Sequence, residues 1–397
     1  MENEINNAKQ LLILGNGFDK ACGLNSDYSD FFNERFSKID KKSIINTLLR
    51  HKPNNHGSIR NFNAYGLGNQ KFYNFDGKYE NKVNYFDLLF IATQKYIQMN
   101  ETWSDIEQIL QEILQFIYKE DPSSKNKSFN NYKFNSDKEI LTFKNFLLHI
   151  FSNTSTDKTI KKALEEYERL FGKFITTEIN KQSLYMTNVK YKLNQLIKEE
   201  SDVLSFNYSA TPLLDSELSN IDLLHDWYNV HGLSRWGSDY RTIAVHKTHN
   251  NNVILPKPIF GISKYDQTND QFLSVNDPIY QFTKNNRRKE KIERMKRGYN
   301  FLNYRISSNI DLVTIFGHSL GMADYDYFKN IFQKLDLANG NLKLEIYYYG
   351  KDDKILEDNF KRMLEEYSHT VSMNRDDLYS KLCNEKRVIF KNSKIIE

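Results

Sequence analysis

Leu11-Leu12-Ile13-Leu14-Gly15-Asn16-Gly17-Phe18-Asp19 decides how the rest of the chain is read. Four consecutive apolar residues fit a short strand buried on both faces, as in a parallel sheet. A Gly-x-Gly turn follows at once, then a helical pattern. Glycine suits a turn that is tight and lets a ligand approach bare backbone. A helix opening there aims amide groups and a partial positive charge above the strand, where a phosphate is the natural guest. Gly15 and Gly17 lack the third glycine of the dinucleotide fingerprint, and no P-loop Lys-Ser/Thr follows. A plain strand-to-helix turn is the competing reading.

The same pattern returns in the second half of the chain. Residues 202–206, 227–230, 311–316 and 344–349 read as strands, with weaker arms at 242–245 and 253–255. Helical faces follow the last two strong strands: Tyr327, Phe328, Ile331, Phe332 and Leu335, then Ile355, Phe360, Met363, Leu364 and Tyr367. Short apolar strands alternating with helices predict a mostly parallel α/β sheet with helices on both faces. Asn16, Asn207, His231, Ser319 and Lys351 stand at the strand ends, which in an open α/β sheet line one crevice where ligands bind.

Between the first strand and the later ones the chain reads as mostly helical. Ser26 or Asp27 caps a helix with Phe31, Phe32 and Phe36 on its buried face. Residues 51–82 read as a loop or lid, and 120–139 as a second polar connection. Ile106, Ile109, Leu110, Ile113, Leu114 and Ile117 form an apolar helix stripe, and Ser104 with Glu107 makes a capping box. These readings predict a nucleotide-binding α/β core from residues 1–45 and 201–397, with a helical insertion at 46–200.

Composition narrows the class. The chain has 397 residues, 39% hydrophobic and 14% aromatic, with a net charge of +4. Mean hydropathy is −0.67. No segment reaches a membrane span and no signal segment opens the chain, so a cytoplasmic protein without membrane contact is expected. Cys22 and Cys383 support neither a disulfide framework nor a four-thiolate zinc site. Residues 285–298 hold seven basic and two acidic side chains. That segment is either a solvated helix face or a patch for RNA or an acidic partner, through Arg287, Arg288 and Lys291.

The strand ends suggest chemistry. His231-Gly232 offers a general base with room for a ligand beside it. His225, His246, His249 and His318 compete for that role, and no metal-binding pattern stands out among them. Asn207 can orient a ribose hydroxyl or a water. Together they suit cleavage of an N-glycosidic bond through an oxocarbenium-like species. Asp19 either binds ribose, positions Asn207 or offsets the helix dipole. Asp324 and Asp326 read as residues that start the next helix.

Several blocks resemble the bacteriophage abortive-infection family AbiH. They are residues 12–19 with Gly23-Leu24 and Tyr28-Ser29-Asp30-Phe31, Trp103-Ser104-Asp105-Ile106-Glu107, and Ser205-Phe206-Asn207-Tyr208-Ser209-Ala210-Thr211. His231-Gly232, Pro258-Ile259-Phe260-Gly261-Ile262 and Phe316-Gly317-His318-Ser319-Leu320-Gly321 with Asp324 and Phe328 complete them. That family is in turn similar to the Rossmann-like, sirtuin-like NAD-binding fold. The resemblance implies NAD as substrate, Asn207 and His231 as the catalytic pair, and Gly15, Asn16, Gly17, Phe18, Asp19, Gly317, His318, Ser319 and Lys351 as nucleotide-binding residues. It implies no metal: the zinc-binding cysteine quartet of sirtuin deacylases is absent, and Asn16 replaces the alanine of the first motif. The expected function is an antiphage effector that hydrolyses NAD to nicotinamide and ADP-ribose, answering a phage-derived trigger, as a homo-oligomer. The alternatives are a non-catalytic nucleotide sensor acting through a partner ATPase or nuclease, and an RNA-binding defence protein.

Overall fold

The computed structural model describes residues 8–50, 70–80, 83–96, 103–119, 129, 132, 134–151, 157–236, 256–266, 271–294, 306–350 and 353–396. The chain forms two compact units. One comprises residues 1–26, 175–258 and 287–397, the other residues 27–174 and 259–286.

The first unit is built on a six-stranded sheet. Its strands are β1 (Gln10–Leu14), β2 (Ser201–Ser205), β3 (Leu224–Asn229), β4 (Leu312–Phe316), β5 (Lys343–Tyr348) and β6 (Val388–Asn392). They lie in the order β6-β5-β4-β1-β2-β3, and every neighbouring pair is parallel. From β1 the chain adds β2 and β3 on one side, then returns to add β4, β5 and β6 on the other. The direction of winding therefore reverses between β1 and β4, and the loops leaving those two strands part there. β1 is buried along its whole length, which is why its residues are apolar in an unbroken run.

Helices flank the sheet. α10 (Tyr325–Lys334), α11 (Asp353–Ser368) and α12 (Arg375–Asn384) supply Phe328, Ile331, Phe332, Phe360, Leu364, Leu378 and Leu382. These pack with Leu11, Ile13, Val313, Ile315, Leu344 and Ile346 of the strands. Each such fully buried side chain contributes about 1.5–3 kcal/mol by leaving water. α1 (Asn16–Ala21) leaves β1 directly. α8 (Tyr185–Leu196) is tied to β1 through Gln10, whose Nε2 donates to the Leu196 carbonyl and whose Oε1 accepts from Lys198 N–H. The expected strands at 202–206, 227–230, 311–316 and 344–349 form, with small shifts at their ends. β6 is an addition: Val388, Ile389 and Phe390 carry its β-propensity, but the run is short and sits between charged residues.

The second unit holds α2 (Tyr28–Arg35), α3 (Lys41–Arg50), α4 (Tyr85–Tyr96), α5 (Trp103–Lys119), α6 (Asp137–Phe151) and most of α7 (Asp157–Lys181). Phe31 is fully buried and meets the rings of Phe32, Phe75, Tyr167, Phe171 and Phe174. Arg35 forms a buried bidentate pair with Asp87 at 3.0 and 2.8 Å and donates to the Tyr73 carbonyl. Lys284, which opens α9 (Lys284–Arg294), pairs with Glu107 at 2.5 Å.

The unit boundaries differ from those expected at residues 45 and 200. α2 belongs with the helical unit because its phenylalanines complete that unit's aromatic core. Residues 175–200 belong with the sheet because α8 hydrogen-bonds to β1. Residues 70–80, expected as loop, contain a short antiparallel pair, Phe72–Tyr73 with Tyr79–Glu80. The weaker arms at 242–245 and 253–255 lie outside the described residues.

Candidate functional site

The polar residues of the sheet unit gather at the carboxyl ends of β1, β2, β3 and β4, in two separate centres. The first is organised by Asp19. Its carboxylate is buried on α1 and accepts three side-chain donors: Tyr185 Oη at 2.8 Å, Asn207 Nδ2 at 3.2 Å and Ser209 Oγ at 2.6 Å. Burial pushes the Asp19 carboxyl up from 3.8 to about 6, while the bonds from Ser209, Tyr185 and Asn207 pull it back. Asn207 Nδ2 also donates to the Gly15 carbonyl at 2.9 Å. Asn229, at the end of β3, donates to the Asn207 and Ala210 carbonyls, so β3 fixes the backbone that presents Asn207.

The second centre surrounds Phe206. His231 Nε2 lies 3.2 Å from Asp324 Oδ1, and His318 Nε2 lies 3.5 Å from Asp324 Oδ2. One carboxylate thus faces two imidazoles, all three groups being buried. The Phe206 ring stands edge-on to both, with centroids 5.1 Å from His231 and 4.5 Å from His318. Tyr327 closes on His231 at 5.6 Å and carries the Arg288 guanidinium 5.4 Å from its ring centroid.

The division follows from alternation along an extended segment. Phe206 and Tyr208 turn toward His231, while Asn207 and Ser209 turn toward Asp19. Asn207 and His231 therefore share one edge of the sheet, but their side chains serve different centres. Spacing alone could not separate them.

The glycine turn has a packing explanation. A Cβ on Gly15 would lie 2.4 Å from the His318 Cα, one on Gly17 2.8 Å from the Gly317 Cα, and one on Gly317 2.2 Å from Phe18 N. Gly15 N–H donates to the Phe316 carbonyl at 3.0 Å and Gly17 N–H to the Gly317 carbonyl at 2.8 Å. The loops after β1 and β4 thus touch backbone to backbone. This corrects the expectation that these two amides stand open as a phosphate cradle: both already have carbonyl partners. Phe18 is buried edge-on to Phe316, and Asp19 is buried within its network, so neither faces outward. Asn16, Gly17 and Gly317 are partly exposed and Ser319 is exposed. Lys351, also expected at this rim, lies outside the described residues.

Asp324 is the residue that sequence reasoning missed. It was expected to start a helix, and it occupies the N-cap position of α10, but its side chain makes no cap hydrogen bond. Its spacing from Gly317-His318-Ser319 was the available signal. His225 is excluded from this edge, because it sits at the start of β3 beside Asp202 and Asp226, with donor atoms within 4.8 Å of one another. An irregularity in the β2–β3 register opposite Ser201–Val203 turns both His225 and Asp226 toward Asp202. His246 and His249 lie outside the described residues.

Three cations of the basic segment make contacts within the fold. Arg287 is buried, Arg288 lies over Tyr327, and Lys291 Nζ donates to the Pro258 carbonyl at 2.9 Å. Arg288 and Lys291 remain partly exposed and Lys289 is exposed. Among the described residues no helix is long and apolar enough to cross a membrane.

These features define an α/β protein with an all-parallel sheet whose carboxyl edge carries an amide–carboxylate centre and an imidazole–carboxylate centre. Residues 11–348 match the family described as Bacteriophage abortive infection AbiH, and the chain belongs to that family. Membership points to a part in abortive-infection defence against bacteriophage. No curated protein and no solved structure matches the chain.

Proposed function

We propose that this AbiH-family protein is an antiphage effector that hydrolyses NAD to nicotinamide and ADP-ribose at the carboxyl edge of its sheet. The observation that carries this reading is the strand order. Counted outward from β1, it is the 3-2-1-4-5-6 order of the doubly wound dinucleotide-binding sheet, in which the ligand lies where the winding reverses. In this reading the fold is Rossmann-like and sirtuin-like. The nucleotide lies over the loops after β1 and β4, against Asn16, Gly17, Gly317 and Ser319. Its nicotinamide ribose lies toward Asn207 and His231.

Nicotinamide departs from a cationic glycoside and needs no general acid. The work left to the protein is to orient the ribose and an attacking water and to take up a proton. His231 supplies the base, with Asp324 beside it. Asn207, held by Asp19 and Gly15, supplies orientation. Water attacks the anomeric carbon, the N-glycosidic bond breaks, and its electron pair leaves on the nicotinamide nitrogen.

Asn207, His231 and Asp324 are each less than a tenth exposed. That burial suits an effector that stays idle until infection. The test is to infect cells expressing the full chain and follow NAD by mass spectrometry. A fall in NAD with matching ADP-ribose, absent in His231→Gln, is expected. Protection from phage with steady NAD would overturn the reading and favour a nucleotide sensor acting through a partner.

A further inference from the structure

We propose that Asp19 is a positioning residue: with the Gly15 carbonyl it pins the Asn207 amide so that Nδ2 faces inward and Oδ1 is the atom offered to a ligand. The group that meets Asn207 is then a hydrogen-bond donor, a ribose hydroxyl or a water. The proposal deepens the reading above and rests on it for the ligand, but not for the arrangement of groups.

Three observations converge. First, Asn207 Nδ2 directs its protons into the fold, to the Gly15 carbonyl at 2.9 Å and to Asp19 Oδ1 at 3.2 Å. A carbonyl only accepts hydrogen bonds, and so does an ionised carboxylate. The flipped amide would set its oxygen against both acceptors with no proton between them. The Gly15 carbonyl opposes that flip even when Asp19 holds a proton. Second, Oδ1 is the end left over. Among the described residues no donor meets it, and it is not one of their sealed, unpartnered polar atoms, so water reaches it although Asn207 is only 5% exposed. Third, Asp19 is itself fixed. Tyr185 Oη on α8 donates to its Oδ1 at 2.8 Å, and Ser209 Oγ donates to its Oδ2 at 2.6 Å. The carboxylate is therefore held facing Asn207.

The backbone of Asn207 is held as well. Its N–H donates to Ser205 Oγ at 3.3 Å, and its carbonyl accepts from Asn229 at 3.2 Å. An asparagine free to flip offers either a donor or an acceptor; this one offers an acceptor. A ligand without a donor at that point would leave a nearly dry oxygen unpaired, which weakens binding roughly ten- to a hundred-fold.

The experiment is nitrogen NMR of the uniformly labelled full chain, with Asn207→Ser assigning the side-chain signal. The Asn207 Nδ2 protons are expected to exchange with water at least about ten-fold more slowly than those of exposed asparagines. Asp19→Asn, whose own carbonyl oxygen still accepts, is expected to keep that protection. Asp19→Ala is expected to lose it while the backbone amides of β1 and β2 stay protected, which separates a local release from loss of the fold. Fast exchange at Asn207 in the parent, or no change in Asp19→Ala, would overturn the proposal. If Asp19→Ala does not fold, the parent measurement still decides. In infected cells Asp19→Ala is expected to slow NAD loss about ten- to a hundred-fold, and Asp19→Asn to restore most of it. Calorimetric titration of the purified chain with ADP-ribose separates the two donors. A ribose hydroxyl predicts binding weakened about ten-fold in Asp19→Ala, and a water predicts unchanged binding with only the rate lowered. Steady NAD and no binding of ADP-ribose, with exchange as described, would sink the nucleotide reading and leave the Asn207 orientation standing. NAD loss at the parent rate in Asp19→Ala would overturn the positioning role and leave the reaction standing.

Discussion

Asn207 holds the first turn of the fold from two strands' ends at once: its amide nitrogen donates to the Gly15 carbonyl at 2.9 Å and to Asp19 Oδ1 at 3.2 Å. A residue singled out for chemistry is therefore also a tie between β2 and the β1–α1 turn. Asn207→Ala removes two hydrogen bonds, but the Gly15 carbonyl keeps the Phe18 N–H and Asp19 keeps Tyr185 and Ser209. A loss of about 1–3 kcal/mol is expected in urea unfolding, since each hydrogen bond contributes about 0.5–1.5 kcal/mol net. Loss of activity in that variant alone cannot separate catalysis from folding, and His231→Gln is the cleaner probe.

Asp19 makes stability depend on pH in an unusual direction. Burial raises its carboxyl from 3.8 to about 6. The folded chain then holds this proton between about pH 4 and pH 6, where the unfolded chain has released it. The stabilisation is complete below about pH 4 and is lost as pH rises to about 6, a change of about 3 kcal/mol at 1.36 kcal/mol per unit. Asp19→Asn removes this contribution. The difference in unfolding free energy between parent and variant, followed by urea titration from pH 3.5 to 7, is expected to change across that window and stay flat above it.

The touching loops after β1 and β4 set a sharp steric limit. Gly317 has φ +68°, and a Cβ there would lie 2.2 Å from Phe18 N, a backbone atom that cannot swing aside. Gly317→Ala is expected to cost more than about 3 kcal/mol or to prevent folding. Gly350 has a similar φ, +64°, with nothing within 4 Å of its Cβ position. Gly350→Ala is expected to cost only about 1 kcal/mol. Thermal unfolding of the two variants separates contact from conformation. Equal losses would sink the packing explanation of the turn.

Arg35 and Asp87 form a buried ion pair in the helical unit, and both are almost wholly inaccessible. Asp87 also accepts the Asn84 N–H at 2.9 Å. Arg35→Met strands a buried carboxylate and is expected to cost about 3–5 kcal/mol. A double replacement by apolar residues of similar volume is expected to recover a large part of that loss. Denaturant midpoints of the single and double variants measure it.

The contacts that Arg287, Arg288 and Lys291 make within the fold predict weak RNA binding. Lys291→Glu breaks its bond to the Pro258 carbonyl and is expected to lower stability rather than a specific affinity. RNA retention by the parent chain is expected to be weak and only slightly salt-dependent, because few phosphates would be neutralised. Tight binding with a steep salt slope, lost on reversing Arg288, would restore the RNA reading.

The fold was legible where its signals are local. An unbroken apolar run, a glycine turn and a helical stripe are properties of neighbouring residues, so β1, β2, β4 and β5, and the helices after β1, β4 and β5, could be read directly. The order of motifs along the chain also identified the AbiH family. The short β6 stayed hidden because three β-forming residues between charges are a weak local signal.

Contacts between distant segments were decided only by the tertiary structure. Strand order brings Gly317 against Gly15 and Gly17, so amides expected to meet a phosphate meet carbonyl groups instead. Alternation past β2 sends Phe206 and Asn207 to opposite centres. The fold of the β4 loop turns Asp324 from a helix cap into the partner of two histidines. A side chain's type is written in the sequence, but its chemistry depends on burial and on the partner it faces, and both arise only when the sheet is assembled.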